Sequence, residues 1–278
     1  MSKARRTGNR GCLPWVLGGI LLFIWFGGDE EDWRDAQLSV EQFDPRSPRR
    51  PIPEIGESFV IADAGPQQDS QGTAFAVDRD GTWMTAQHVT HGCDRIGLVA
   101  DDGIDAITDV IESSEADASV IREGPLPEFA LALTAELPEE GASGYHMGFP
   151  AGNPAVVVSR FLGATSASLG GPGGQSEPIL AWAEGERLPS FDGPLSGISG
   201  GPTFDEQGRV VGVNAASTPR RGRVLTTDPL AILRLVEASA AVDDRGEVTD
   251  LATPGQAVRL FQALLDQGII RQVYCDVR

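Results

Sequence analysis

The sequence predicts an all-β fold, a sandwich or a pair of barrels, on three observations. Short β-rich runs recur at roughly 10–15-residue spacing: SFVIAD, GTAFAVDRDGTWMTA, IGLVADDGIDA, PAVVVSRFLGAT, PILAWAEG and GRVVGVNAAS, separated by Gly, Asp and Pro. Asp80-Gly81 breaks an alternating run as a hairpin turn does. Helical signals come only late. Asp228-Pro229 opens LAILRLVEA, and Thr253-Pro254 opens GQAVRLFQALLDQG, closed by Gly268.

The chain has 278 residues, enough to bury a large core, with 22 Lys+Arg against 40 Asp+Glu and a net charge of −18. That balance speaks against a nucleic-acid partner, which needs clustered cations. Three Cys and three His exclude a disulfide-dense scaffold and leave little for a metal site. The charge is uneven. Lys3, Arg5, Arg6 and Arg10 stand in an acid-free tip, leaving 18 basic and 40 acidic residues elsewhere.

Residues 1–11 therefore read as a basic cytoplasmic tip. Residues 12–28, CLPWVLGGILLFIWFGG, carry no charge and would span roughly 25 Å as a helix. Trp15 and Trp25 stand near the two ends, and Asp29-Glu30-Glu31-Asp32 follows. This predicts a single-pass signal anchor with the N-terminus cytoplasmic and the rest outside. A cleaved signal peptide is the competing reading, but Phe26 would then occupy a position that needs a small residue. Residues 29–54, acidic and then rich in Pro and Arg, read as a flexible stalk.

Gly197-Ile198-Ser199-Gly200-Gly201-Pro202 is the sharpest local motif. Glycines around a serine allow close approach to a carbonyl and a tight turn with N–H groups pointing inward. A plain turn between strands is the alternative. The same residues fit the nucleophile elbow of α/β-hydrolases, but that fold places its histidine after the serine, and no His follows His146. The subtilisin order needs long helices between strands, a pattern missing from the middle of this chain. The order His, Asp, Ser remains. Trp83-Met84-Thr85-Ala86-Gln87-His88-Val89 supplies the first member, Glu115-Ala116-Asp117-Ala118-Ser119-Val120-Ile121 the second and Ser199 the third.

With these motifs the chain resembles the trypsin-like, chymotrypsin-fold serine proteases, whose motifs are T-A-x-H, D-[small/apolar]-x-[LV] and G-x-S-G-G-P. It is closest to the bacterial HtrA/Deg-type branch. GTAFAVDRDGTWMTAQHV, Tyr145-His146-Met147-Gly148-Phe149-Pro150 and SGGPTFDEQGRVVGVNAAS carry that likeness, over roughly residues 57–236. The resemblance implies two six-stranded antiparallel β-barrels in a protease domain at 55–236, the first about 55–138 and the second about 142–236. A C-terminal extension with one helix, 237–278, would follow and pack on the body.

The resemblance further implies Ser199 as nucleophile, His88 as general base and Asp117 as the residue that orients the imidazole. The N–H groups of Gly197 and Ser199 would form the oxyanion hole. No cofactor or metal is implied, and the substrate would be a protein or peptide. Activity would fall as pH drops through roughly 6–7. The bland reading of His88 is a hydrogen-bonded structural residue. Asp101, Asp102, Asp105 and Asp109 compete with Asp117. His91 and His146 read as loop or strand-edge residues, and Ser196 lacks the following Gly-Gly-Pro.

Several positions depart from the family. Ile198 stands where zymogen-type relatives have an Asp, so activation by N-terminal insertion is not expected. Cys93 follows His88, but no Cys lies in the preceding strand; Cys275 could pair with Cys93 if the tail folds back over the first barrel, the alternative being two free thiols. The specificity pocket would have uncharged Gly193 at its base and Asn214, Ala215 and Ala216 on one wall, favouring small or medium apolar P1 residues. About 40 residues after the second barrel are too few for a PDZ domain. The expectation is a membrane-anchored serine endopeptidase in the inner membrane, its protease domain periplasmic or extracellular. An inactive scaffold of the same fold and an esterase on another fold are the alternatives.

Overall fold

The computed structural model describes residues 55–56, 59–61, 68–100, 102–169, 176–218, 221–241 and 249–278. The expected tip (1–11), anchor (12–28) and stalk (29–54) lie outside the described residues. Among the described residues no helix is long and apolar enough to cross a membrane.

Two sheets make up the body. The first contains β2 (Ser70–Ala76), β3 (Trp83–Thr85), β4 (Arg95–Ala100), β5 (Gly103–Ile107), β6 (Asp109–Glu112), β7 (Ser119–Arg122) and β14 (Ile270–Asp276). The second contains β1 (Phe59–Ile61), β8 (Ser143–Gly148), β9 (Ala155–Leu169), β10 (Ser176–Leu188), β11 (Pro202–Phe204), β12 (Val210–Thr218) and β13 (Arg223–Thr227). The helices are α1 (Gln87–Thr90), α2 (Pro229–Ala238) and α3 (Pro254–Asp266).

The second sheet is a closed barrel. Its six strands run β9-β10-β13-β12-β11-β8, all antiparallel, and β8 pairs back onto β9. β1 adds to the outside of β9 in parallel. Closure removes the free edges that an open sheet would expose.

The first sheet corrects the expectation of a second six-stranded barrel. It is open, with seven strands in the order β5-β4-β14-β2-β3-β7-β6. The added strand is β14, antiparallel to β2 on one side and β4 on the other. The two edge strands, β5 and β6, are separated in the chain by Thr108 alone. One bent segment thus forms both edges, so the sheet curls into a half-barrel without pairing shut.

Local chemistry explains the elements around β14. Thr253 caps α3, its side chain accepting from the Gln256 N–H, and Pro254 takes the first turn. The buried face of α3 is Ala257, Phe261 and Leu264. Gly268, at φ +65°, ends it in the left-handed conformation glycine tolerates. Ile270, Val273 and Cys275 of β14 then turn into the core. One apolar cluster runs from Phe75, Trp83 and Val120 of the first sheet to Met147 and Val156 of the second, and takes in Phe261 and Leu264. That shared core fixes the two sheets against each other.

Candidate active site

The site is built from one helix and two turns. Asp78 shapes the β2–β3 hairpin, its Oδ1 accepting from the N–H groups of Asp80 (3.0 Å) and Thr82 (2.7 Å). β3 then delivers the chain to α1, which carries His88. Asp117 stands in the turn before β7. Its Oδ2 lies 2.6 Å from His88 Nδ1, and its Oδ1 accepts the His88 backbone N–H at 2.9 Å. Thr90 and Ser119 hydroxyls, 3.0 Å apart, tie α1 to β7. The Asp117 side chain is 5% exposed and the His88 ring 42%, so one face of the imidazole is open.

Burial opposes a charged His88, but the field and hydrogen bond of Asp117, with the charge of Glu177, outweigh it and raise the imidazole above its ordinary value. The buried carboxylate favours the imidazolium form and selects the tautomer with its proton on Nδ1.

The second turn spans Ser196–Pro202. Gly197 (φ +100°) and Gly200 (φ +86°) take conformations that side chains resist. The Ser196 carbonyl accepts from Ala151 N–H (2.7 Å) and the Ile198 carbonyl from Gly201 N–H (3.0 Å). A trans peptide points its N–H opposite its carbonyl, so the N–H groups of Gly197 and Ser199 face the other way. Neither finds a protein acceptor among the described residues.

Thr73 on β2 joins the halves, and sequence reasoning missed it. Its N–H donates to the Ser199 carbonyl (2.8 Å) and its hydroxyl to the Gly197 carbonyl (2.8 Å). Its own carbonyl accepts from the Thr85 hydroxyl (2.7 Å), three residues before His88. Gly72 beside it could not carry a side chain: a Cβ would lie 2.7 Å from Val89 and 2.9 Å from the Ser199 carbonyl. A Cβ on Gly200 would overlap the Thr73 carbonyl and the Thr85 hydroxyl. Thus the serine turn and the segment leading to His88 meet across a glycine-lined seam. Among the described residues no hydrogen bond links the His88 ring to the Ser199 hydroxyl.

Ile198 is buried in an apolar cluster of the second barrel with Val157, Phe161, Leu180, Trp182 and Val211. Hydrophobic packing anchors the residue before the serine, where zymogen-type relatives use an ion pair.

The expected pocket residues fall differently. Gly193 (φ +109°) lies in an exposed loop with open space around its Cα. Its carbonyl accepts from Arg187 at 2.7 Å, and Arg187 is also bonded to Glu184 and stacked 4.8 Å over Phe191. That clamp fixes the path of the loop, in which Gly193 is exposed. Asn214 is 1% exposed, and its Oδ1 is spent on His146 (2.8 Å) and Thr203 (2.8 Å). Only its backbone can line a pocket; its N–H and carbonyl already hold Gly201 and Gly200. Ala215 is buried at a bulge between β12 and β13, and Ala216 packs against the cluster of Phe59 and Ile179.

His146 departs from its reading as a loop or strand-edge residue. It is fully buried on β8, with Nε2 2.6 Å from Ser159 and Nδ1 2.9 Å from Thr203, edge-on to Trp182 at 5.4 Å. Burial pushes its pKa down to about 4, against the Asn214 hydrogen bond. This neutral histidine knits β8, β9, β11 and β12 beneath the serine turn. His91 pairs with Glu112 on the surface, away from Asp117. Cys93, just past α1, and Cys275 of β14 form a disulfide with Cα atoms 5.4 Å apart.

Glu177 was also missed. It sits at the start of β10, 3% exposed, and no sequence pattern marks it. Burial and the nearby Asp117 carboxylate push its pKa up to about 7.

A trypsin-like peptidase domain family model matches residues 72–213. Among curated proteins, the chain is 31% identical over 206 residues to a probable periplasmic serine endoprotease, DegP-like, of Hahella chejuensis. The match covers 71% of this chain but only 38% of that protein's length. Among solved structures, the active form of Rv3671c protease from M. tuberculosis superposes with a TM-score of 0.52 at 20% identity, over 76% of this chain and 99% of that one. The inactive form of the same protease gives 0.50 at 22% identity, over 62% and 88%. At these identities the likeness concerns the fold.

Proposed function

The chain belongs to the trypsin-like peptidase domain family, and from that premise we propose that it is a serine endopeptidase working through His88, Asp117 and Ser199. The observation that carries the reading is the 2.6 Å His88–Asp117 pair facing a Gly-Ile-Ser-Gly-Gly turn bound to Thr73. With Nδ1–H held by Asp117, the free Nε2 is the atom that accepts the Ser199 proton as the hydroxyl attacks a peptide carbonyl. The N–H groups of Gly197 and Ser199 stabilise the oxyanion that develops. His88 then protonates the leaving amine, and water attacks the acyl-enzyme by the reverse path. Substrate binding draws Ser199 and His88 into hydrogen-bond contact, since such bonds are commonly long in a free enzyme. Protein or peptide chains are the substrate class, and no cofactor takes part.

Only neutral His88 can act as the base. Because its pKa is raised, kcat/KM is expected to fall as pH drops through a value above the ordinary 6.5. A flat profile through that range would remove His88 from the role.

Residues 12–28 would anchor the protein in the inner membrane with the N-terminus cytoplasmic and the protease domain periplasmic or extracellular. The Cys93–Cys275 disulfide suits an oxidising compartment, and the Hahella relative is described as periplasmic. Labelling with a serine-reactive fluorophosphonate tests the chemistry. Wild type is expected to label and Ser199→Ala not. Unlabelled wild type would mean an inactive scaffold, and labelled Ser199→Ala a different nucleophile.

A further inference from the structure

β10 belongs to the second barrel, yet the carboxyl near its start, Glu177, feels the charges of Asp117 and His88. There Glu177 stands opposite Ala167 of β9, and both oxygens of its buried carboxyl lack a hydrogen-bond partner among the described residues. The Asp117 peptide N–H acts on it favourably without closing a hydrogen bond. A carboxylate buried without partners is strongly unfavourable and persists where function or other packing holds it. We propose that Glu177 is a positioning residue of the peptidase site, acting through the His88–Asp117 pair to set its proton balance.

The charges around it define how it acts. Asp117, from the turn before β7, repels an ionised Glu177; His88, from α1, attracts it when protonated. Other charged groups nearby are engaged elsewhere. Arg234 of α2 is bound to Glu115 (3.0 Å), and Glu112 of β6 is bound to His91 (2.9 Å). On β10 itself Arg187 is paired with Glu184 toward the far end. Arg221 stands 5.6 Å from the ring of Phe59, two strands away on β1. Burial first, then Asp117, makes the Glu177 carboxyl hold its proton to about pH 7. Each group's charge acts on the other, so the two are coupled. Ionised Glu177 holds the imidazolium; protonated Glu177 releases it toward the neutral form the proposed chemistry needs.

This role rests on the peptidase reading, so its primary test does not require turnover. The His88 imidazole is titrated by NMR with labelled histidine in the Ser199→Ala chain, with and without Glu177→Gln. His146 stays neutral and His91 is exposed, so the three rings are distinguishable. Glu177→Gln is expected to move the His88 midpoint to lower pH, and Glu177→Asp, which keeps the charge at shorter reach, to move it less. In the active chain, kcat/KM at pH 6 relative to pH 8 should rise roughly twofold or more in Glu177→Gln, with KM unchanged. A midpoint unmoved in both variants overturns the proposal. A shifted midpoint in a chain whose Ser199 never labels upholds the coupling and overturns the peptidase reading instead.

Discussion

If the proposed triad is right, Asp117→Asn is expected to lower kcat by about ten-thousand-fold and to leave the fold in place. Asp117 makes two bonds of different kinds. Oδ1 accepts the His88 backbone N–H, a contact an asparagine oxygen can keep. Oδ2 accepts the ring Nδ1–H at 2.6 Å, and an amide NH₂ there would donate instead. The ring must then carry its proton on Nε2, the atom that should receive the Ser199 proton. The imidazolium formed during acyl transfer also loses its carboxylate partner. Steady-state kinetics with a peptide substrate, beside a thermal melt of both proteins, check this. A loss below tenfold with an unchanged melt would hand the role to another acid, such as one of the aspartates between residues 101 and 109.

Removing the Cys93–Cys275 bond is expected to cost about 5 kcal/mol, the chain-entropy value for a crosslink closing a loop of 182 residues. That is comparable to the whole stability of many domains. The loss should concentrate in the first sheet, because Cys275 lies on β14 and Cys93 directly follows the helix that carries His88. Denaturant unfolding of Cys93→Ser/Cys275→Ser, or of the wild-type chain under reductant, measures it. A change under about 1 kcal/mol would mean that β14 is held by its ladders and apolar contacts alone.

Much of this was legible in the sequence, and the rest was hidden for identifiable reasons. His88, Asp117 and Ser199 sit in motifs whose neighbours are chosen by local geometry, so their order and flanks single them out as candidates, and the structure pairs the first two. The paired strands β2 and β3 were visible because alternation and Asp80-Gly81 are local signals. β14 was not. Its buried positions, Ile270, Val273 and Cys275, do not alternate strictly and are too few to separate from a helix end, and its partners on β2 lie about 200 residues earlier. Thr73 and Glu177 were invisible for the same reason. A threonine in an apolar run and a glutamate near a glycine-rich loop acquire meaning only from what folds against them. The pocket positions depend on loop paths: counting back from Ser199 reaches Gly193, but the Arg187–Phe191 clamp decides where that loop goes.

The place of β14 also sets a timetable for the protein's own making. A chain that emerges from its N-terminal end produces β2 early, with Gly72 and Thr73 already in it. β2 then lacks one of its two neighbours until Ile270–Asp276 has followed, because β14 and not β4 lies beside it. Pairings of such sequence separation are slow to close, and strands waiting for them expose unpaired edges. The seam between β2 and the serine turn is therefore among the last features to mature.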